Sequence, residues 1–231
     1  MFPTTHWSVL AVATLEGEAS GREALAALCR DYRPAVLSHV RRRGFGPEEA
    51  EDITQEFFFA LLNSRTWQRA DRARGKFRTF LLGMVEHVIA HRRERAQALK
   101  RGGGFALVSL DQLLEEGSDP PDPEGDVSRA FDRQWAVCMI EQALAAVAGH
   151  WAAQGRSHDL DVLRNFLPGG AGGSYEEAGR ELGLSVAAVK SAIHRLRQHF
   201  RAGLRTAVAR TVDAPHEIDE ELRHLRRILG S

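Results

Sequence analysis

The chain has 231 residues, of which 43% are hydrophobic and 27% are charged, with 31 basic and 31 acidic side chains. This composition is typical of a globular protein and excludes fibrous, collagenous and fully disordered chains. The apolar runs are far shorter than the roughly 20 residues that cross a bilayer, and the first residues do not resemble a secretory leader. We therefore expect a cytoplasmic protein without a membrane span.

The net charge of zero hides a strong segregation of charge along the chain. Residues 65–101 contain eleven Lys or Arg and three acids, residues 111–126 contain seven acids and no base, and residues 185–210 contain six bases and no acid. Two basic blocks separated by an acidic connector are unusual for an enzyme. They favour a protein that grips a polyanion at two points.

Apolar residues recur at helical spacing in nearly every segment, and no alternating strand pattern is found. We therefore predict an all-α fold with two small helical domains. The domains are separated where Gly, Pro and acids replace the helical pattern. The predicted divisions are an N-terminal extension at 1–19, a first domain at 20–100, a flexible acidic linker at 101–129, a second domain at 130–210 and an amphipathic helical tail at 211–231.

The segment 46–62 predicts a helix that begins at Pro47, because Pro suits the first helical position and acids follow it. Its core-facing stripe consists of Ala50, Ile53, Phe57 and Leu61. Its other side carries Asp52, Gln55, Glu56 and Phe59. An exposed ring beside carboxylates is typical of a protein-binding patch. The alternative is that Phe59 packs under a neighbouring helix.

Aromatic and basic residues interleave in the next segment. The rings belong to Trp67, Phe77 and Phe80, and the cations around them are Arg69, Arg72, Arg74, Lys76 and Arg78. Aromatic platforms among cations suit single-stranded DNA, since bases stack on the rings while the phosphates are neutralised. The alternative is that Phe77 and Phe80 are core residues.

The segment 174–201 has the order of elements found in a helix-turn-helix. Ser174-Tyr175-Glu176-Glu177 has the form of a capping box, and Gly183 permits the turn that ends the short helix. Ser185 can then cap a second helix, whose apolar stripe is Val189, Ile193, Leu196 and Phe200. A basic stripe lies on another side of that helix, at Lys190, His194, Arg197 and Arg201. Small residues near its N-terminus favour close entry into a major groove. The alternative is a surface helix with solvated charges.

Three segments together resemble a known family. SYEEAGRELGLSVAAVKSAIHRLRQHFRAGLR resembles the promoter-reading helix-turn-helix of sigma factors, and GPEEAEDITQEFF resembles their segment that binds the clamp of RNA polymerase core. WQRADRARGKFRTFLLGMVEHVIAHRRERAQ resembles the region that recognises and opens the minus-10 element, with Phe80 where many members carry Trp and Glu86-His87 where many have an Asn-containing segment. The resemblance implies a sigma-70 family factor of the extracytoplasmic function type, with regions 2 and 4.

The resemblance also implies the functional residues. Binding to core polymerase is expected of Asp52, Gln55, Glu56, Phe57 and Phe59. Contact with minus-10 DNA is expected of Trp67, Arg69, Arg72, Arg74, Lys76, Phe77, Arg78, Phe80, His87 and Arg92. Contact with minus-35 DNA is expected of Ser185, Ala187, Ala188, Lys190, Ser191, His194, Arg195 and Arg197. The expected partners are core polymerase, duplex and melted promoter DNA, and an anti-sigma factor or other regulator.

Other classes of protein fit this sequence less well. A stand-alone helix-turn-helix regulator would not need the aromatic-acidic patch, and a protein adaptor would not need an acid-free basic helix. An enzyme is not expected, because the Gly-rich residues 168–174 lack the Lys of a P-loop and no nucleophile motif occurs. His87 and His91 share a helix face but lack the Glu of the zinc-protease motif, so we expect no metal and no cofactor. Cys29 and Cys138 are expected to be core thiols.

The acidic connector and the tail carry separate hypotheses. Residues 111–126 predict a solvated linker, and the resemblance adds the hypothesis that their acids occupy the polymerase channel until RNA displaces them. In the tail, Ile218, Leu222, Leu225 and Leu229 recur at helical spacing and predict an amphipathic helix. This helix is expected to pack on the C-terminal module, with docking of a regulator or of core polymerase as the alternative.

Overall fold

The computed structural model describes residues 18–63, 77–100, 125–212 and 214–230, with side chains at 29–61, 77–98, 125, 127–212 and 214–230. These ranges form helices and turns without a strand, which confirms the all-α prediction. Their eight α-helices are α1 (Glu18–Arg42), α2 (Pro47–Asn63), α3 (Phe77–Lys100), α4 (Asp126–Ala153), α5 (Ser157–Leu163), α6 (Tyr175–Leu182), α7 (Val186–Ala209) and α8 (Ile218–Leu229).

The chain forms two compact units. The first unit consists of residues 1–138 and 210–231, and the second unit consists of residues 139–209. The division falls between residues 138 and 139, within α4, whereas the sequence placed the start of the second domain at residue 130. Residues 101–124 of the predicted linker lie outside the described ranges, and residues 126–129 form the first turn of α4.

The core of the first unit is built by α1, α2, α3 and the beginning of α4. Helix α2 begins at Pro47 as predicted, with acids in its first turn that suit the helix dipole. Its predicted core-facing stripe is confirmed, because all four side chains are fully buried: Ala50, Ile53, Phe57 and Leu61. Other buried residues of this unit are Tyr32, Val36, Leu81, Leu82 and Val85. Burial of each large apolar side chain contributes about 1.5–3 kcal/mol.

The second unit packs α5, α6 and α7 around the C-terminal part of α4. Its core contains Trp151, Leu163, Phe166, Val189 and Leu196. Helix α7 approaches α4 closely at Gly203, where an added Cβ would lie 3.3 Å from the carbonyl oxygen of Ala143. The core of this unit fixes the orientation of α7 and therefore decides which of its side chains face solvent.

Helix α4 has 28 residues. Its stretch Val127–Ala153 is long and apolar enough to cross a membrane, and core helices of soluble proteins share this length and composition. One side of α4 is buried within the protein, at Phe131, Trp135, Met139, Val147 and Trp151.

The C-terminal tail forms a short 3₁₀ turn, Pro215–Glu217, followed by α8. The predicted amphipathic helix is confirmed, with Ile218 and Leu225 buried. The expectation that it packs on the C-terminal module is wrong, because α8 belongs to the first unit. Its Glu221 forms a buried ion pair with Arg78 of α3, which directs the helix to this unit.

Candidate polymerase and DNA interfaces

The helix-turn-helix in the second unit is fixed by local hydrogen bonds. Ser174 Oγ accepts a hydrogen bond of 3.3 Å from the backbone N–H of Glu177, and Gly183 ends α6 with a φ of 65°. Ser185 Oγ accepts from the N–H of Ala188 at 3.3 Å. An added Cβ on Gly179 would meet the carbonyl oxygen of Leu184 at 2.7 Å, so the turn passes very close to α6. The predicted cap at Ser174, turn at Gly183 and cap at Ser185 are confirmed.

Helix α7 has one apolar and one basic side. Its predicted apolar stripe is confirmed, since all four members are buried: Val189, Ile193, Leu196 and Phe200. Its exposed cations and histidines include Lys190, His194, Arg195 and Arg201. Because residues 185–210 contain no acid, this side of the helix has no neighbouring carboxylate on the same helix to neutralise it. Such a surface attracts phosphates.

The side chains expected at minus-35 DNA fall into two groups. Ser185, Ala187, Ser191, His194 and Arg195 are exposed, and Ala188 is half-buried. Lys190 and Arg197 are exposed as well, but each also contacts the protein. Lys190 Nζ lies 5.4 Å from the centre of the Tyr175 ring, and Arg197 donates to the carbonyl oxygen of Phe166 from Nε at 3.1 Å and from Nη2 at 2.8 Å.

The glycine-rich segment before α6 is shaped by close contacts. The ring of Phe166 stacks on Tyr175 with centres 5.3 Å apart, and an added Cβ on Gly173 would meet the same ring at 3.3 Å. The N–H of Gly172 donates to the carbonyl oxygen of Asn165 at 2.9 Å. These contacts pack the segment against Phe166 and the first residue of α6.

The outer side of α2 carries the predicted aromatic-acidic patch, which consists of Asp52, Gln55, Glu56 and Phe59. All four residues are exposed, and 71% of Phe59 is accessible. This exposure rules out the alternative that Phe59 packs under a neighbouring helix within the described protein. Glu56 accepts a hydrogen bond of 2.8 Å from Arg92 Nη1. Phe57 is fully buried, so its side chain supports the helix and presents no surface.

The residues expected at minus-10 DNA are only partly described. Trp67, Arg69, Arg72, Arg74 and Lys76 lie outside the described residues. Phe80 and His87 are half-buried on α3, and Arg92 is half-buried where it pairs with Glu56.

Two residues expected at the same DNA element face the protein interior. Phe77 is buried and packs edge-on against Tyr32, with ring centres 5.4 Å apart. Arg78 is buried and donates from Nε to Asp132 at 2.7 Å. Neither side chain presents a surface to DNA in this arrangement.

Glu86 has hydrogen-bond partners within the first unit. Burial opposes its ionisation, but hydrogen bonds with His39 and from Arg43 outweigh this and lower the pKa of Glu86 to about 2. The Nε of Arg43 donates to Glu86 at 2.7 Å. The carboxylate thus ties α3 to α1 and to the turn that follows it.

The described residues include both histidines weighed as metal ligands, His87 and His91, and both cysteines. They contain no group of three or more His, Cys, Asp or Glu arranged to hold a metal, and His87 and His91 stand without such a third ligand. Cys138 is buried, and burial raises the pKa of the Cys29 thiol, which disfavours the reactive thiolate.

A helical unit with an exposed aromatic-acidic patch and a second unit with a basic helix-turn-helix define a DNA-binding transcription factor. The family Sigma-70 region 2 matches residues 28–98. The chain is also 28% identical to the ECF RNA polymerase sigma factor ShbA of Streptomyces griseus over 204 residues, which cover 86% of this chain and 95% of the relative. No solved structure matches the chain significantly.

The Sigma-70 region 2 match and the similarity to an ECF sigma factor over most of the chain support a sigma-70 factor of the extracytoplasmic function type. Sigma factors are non-catalytic initiation factors that bind RNA polymerase core and direct it to promoters.

Proposed function

We propose that this protein performs the two tasks of a sigma factor with separate surfaces. The aromatic-acidic patch of α2 binds core polymerase, and the basic side of α7 binds duplex DNA at the minus-35 element. The first unit also holds the opened minus-10 strand. No enzymatic role is proposed, and the site of action is the cytoplasm, where bacterial transcription takes place.

The exposed ring of Phe59 carries the proposal for the α2 patch. Because 71% of the surface of Phe59 is in contact with water, covering the ring with a partner protein would stabilise the complex. The carboxylates of Asp52 and Glu56 beside it match a basic rim on the partner and give the contact orientation. A stand-alone DNA-binding regulator would have no use for this surface.

The proposed DNA contacts on α7 differ in kind. Ala187 and Ser191 are small and lie near the N-terminal end of the helix, where a base edge can approach closely. His194, Arg195 and Arg201 supply donors and charge to bases and phosphates. Ser185 caps the helix and so sets where its N-terminal amides point.

The proposed minus-10 contacts combine residues of the segment before α3 with residues on α3. The first group consists of Trp67, Arg69, Arg72, Arg74 and Lys76. On α3, Phe80, His87 and Arg92 retain part of their surface. Because Phe77 and Arg78 are buried, we propose that they support this site from within.

Run-off transcription tests the proposed function. Purified bacterial core polymerase is mixed with a promoter library and with no factor, the intact protein or its Phe59→Ala variant. A matched control is Leu144→Ala, which shortens an exposed apolar side chain in the second unit. We expect transcripts that depend on the intact protein and share upstream elements, with at least about tenfold weaker core binding for Phe59→Ala, as for an interface hot spot. Leu144→Ala should behave like the intact protein.

Two outcomes would contradict the proposal. Duplex DNA binding without core binding or factor-dependent transcription would indicate a stand-alone regulator. Equal core affinity for Phe59→Ala and Leu144→Ala would remove Phe59 from the interface. An anti-sigma factor that covers the same patch would compete with core polymerase, and a competition assay with purified core would reveal it.

A further inference from the structure

The tail helix α8 is not used by the proposed function, yet it buries a charged side chain. Glu221 is 2% exposed and forms an ion pair with Arg78, which is 5% exposed. The two residues are 143 positions apart in the chain. Taking two charges out of water is costly unless further hydrogen bonds satisfy them, so a pair at this depth demands a defined surrounding network.

The surrounding network consists of Arg78, Asp132, Trp135, Glu221 and His224, which we call the Arg78 cluster. The Nε of Arg78 donates to Asp132 Oδ1 at 2.7 Å, while its Nη1 donates to Glu221. The guanidinium carbon lies 4.5 Å from the centre of the Trp135 ring. His224 Nε2 lies 3.1 Å from Asp132 Oδ2. Helices α3, α4 and α8 therefore meet at one guanidinium.

Apolar contacts accompany the cluster on the same helix. Ile218 and Leu225 of α8 lie three residues before and four residues after Glu221, and both are buried. This spacing puts the three side chains on one face of α8. The exposed acids Asp219 and Glu220 and the exposed cations Arg223, Arg226 and Arg227 occupy the rest of the helix. The face that contains Glu221 is thus the docking face of α8.

Arg78 places the cluster next in sequence to the residues that we propose contact minus-10 DNA. Arg78 is the second residue of α3, and in sequence α3 directly follows the aromatic and basic residues 67–76. On its other side, the neighbouring Phe77 packs edge-on against Tyr32 of α1. The first turn of α3 is therefore held by α1 through Phe77 and by α4 and α8 through Arg78. A planar guanidinium with paired partners allows few alternative positions.

We propose that α8 contributes to promoter opening by the first unit. Its Glu221 is a positioning residue that fixes the first turn of α3 through Arg78. This inference rests on the proposed function, since it assigns minus-10 opening to the first unit. Arg78 acts within the protein and not on the DNA. Loss of Glu221 leaves the aromatic-acidic patch of α2 in place, so its effect falls on DNA opening rather than on core binding.

The test compares Glu221→Gln with Glu220→Gln in the full chain with core polymerase. Both changes remove one negative charge from the same turn of α8, but only Glu221 is buried. Three quantities are measured: core affinity, permanganate reactivity of minus-10 thymines on a duplex promoter, and the same reactivity on a promoter with a mismatched minus-10 region. Thermal unfolding is followed by circular dichroism, and the assays are run where both variants are folded.

For Glu221→Gln we expect an unchanged core affinity and duplex opening weaker by about tenfold, the effect of one charge-assisted hydrogen bond. The mismatched promoter should restore its reactivity to near that of the intact protein. Glu220→Gln should match the intact protein in every assay. Arg78→Lys keeps the charge but loses the planar fork, and it should repeat the pattern of Glu221→Gln.

The outcomes separate the inference from the proposed function. If the intact protein supports no core-dependent opening, the proposed function fails. If the intact protein is active and Glu221→Gln opens duplex DNA as well as Glu220→Gln, or better, the positioning role is wrong. A parallel loss of core affinity and opening that the mismatched promoter does not restore would mean a general structural role and would also overturn the inference.

Discussion

The guanidinium of Arg197 on α7 donates two hydrogen bonds to the carbonyl oxygen of Phe166, from Nε at 3.1 Å and from Nη2 at 2.8 Å. Phe166 ends a short 3₁₀ turn, Arg164–Phe166, and carbonyl groups at the end of such a turn lack partners within it. Arg197 supplies that partner and ties α7 to the segment before α6. Arg195, two positions earlier on the same helix, is exposed as Arg197 is.

Arg195 and Arg197 should therefore differ when each is changed to Ala. Arg195→Ala should lower the slope of log binding constant against log salt concentration by about 1, because one phosphate contact is lost. Arg197→Ala should instead lower the free energy of unfolding by about 1–2 kcal/mol, because the Phe166 carbonyl loses its donor. Salt titrations on duplex promoter DNA and urea unfolding measure the two effects. Reversed effects would assign base or phosphate contact to Arg197.

The glycines of the second unit give a second matched pair. Gly179→Ala should destabilise the protein by about 1–3 kcal/mol, because the new Cβ would lie 2.7 Å from the carbonyl oxygen of Leu184. Gly149→Ala meets no atom within 4 Å and should stabilise α4 by about 0.5–1 kcal/mol through helix propensity. Urea unfolding of both variants provides the measurement. Equal effects would show that the turn after α6 can move away from the added methyl group.

Local sequence patterns predicted much of the helix-turn-helix. The cap at Ser174, the turn at Gly183 and the buried stripe from Val189 to Phe200 depend on neighbouring residues, so spacing alone indicates them. The same holds for α2, where the stripe through Ile53 and Phe57 places Phe59 on the opposite side. A run of three aromatic residues cannot face one core, and the helical period decides which ring is left outside.

Long-range pairs could not be predicted in this way. Arg78 has the same basic character as its neighbours in sequence, and only the packing of α4 and α8 shows that Asp132 and Glu221 neutralise it. Arg197 likewise fits the basic stripe of α7 by spacing, yet it bonds to a carbonyl 31 positions away. The partner of a charged side chain is decided by tertiary structure, and the spacing of residues along the chain does not reveal it.

The stability of the first unit should depend on pH because of Glu86. Hydrogen bonds with His39 and from Arg43 hold the pKa of Glu86 at about 2, against an ordinary value of 4.5. A lowered pKa in the folded state stabilises the fold above pH 4.5, and this contribution is lost as the pH falls towards 2. Glu86→Gln should cost about 1–3 kcal/mol at pH 7, with a smaller difference from the intact protein at pH 3.

Urea unfolding at several pH values from 7 to about 3 checks the Glu86 prediction, since below pH 4.5 the carboxylate binds a proton in the unfolded state and the difference between the two proteins should shrink. Glu48→Gln, an exposed carboxylate in the first turn of α2, serves as the control and should show a much smaller difference at every pH. A constant difference between Glu86→Gln and the intact protein across this range would mean that its carboxylate charge is not what stabilises the fold.

Phe57 and Phe59 lie two residues apart on α2 and should act on different properties. Phe57→Leu leaves a gap in the core and should lower the free energy of unfolding by about 1–3 kcal/mol, because the ring is fully buried. At a temperature where this variant is folded, its affinity for core polymerase should equal that of the intact protein. Phe59→Leu should leave stability nearly unchanged and weaken core binding. Weak core binding by a fully folded Phe57→Leu variant would show that this ring turns outward to meet the polymerase.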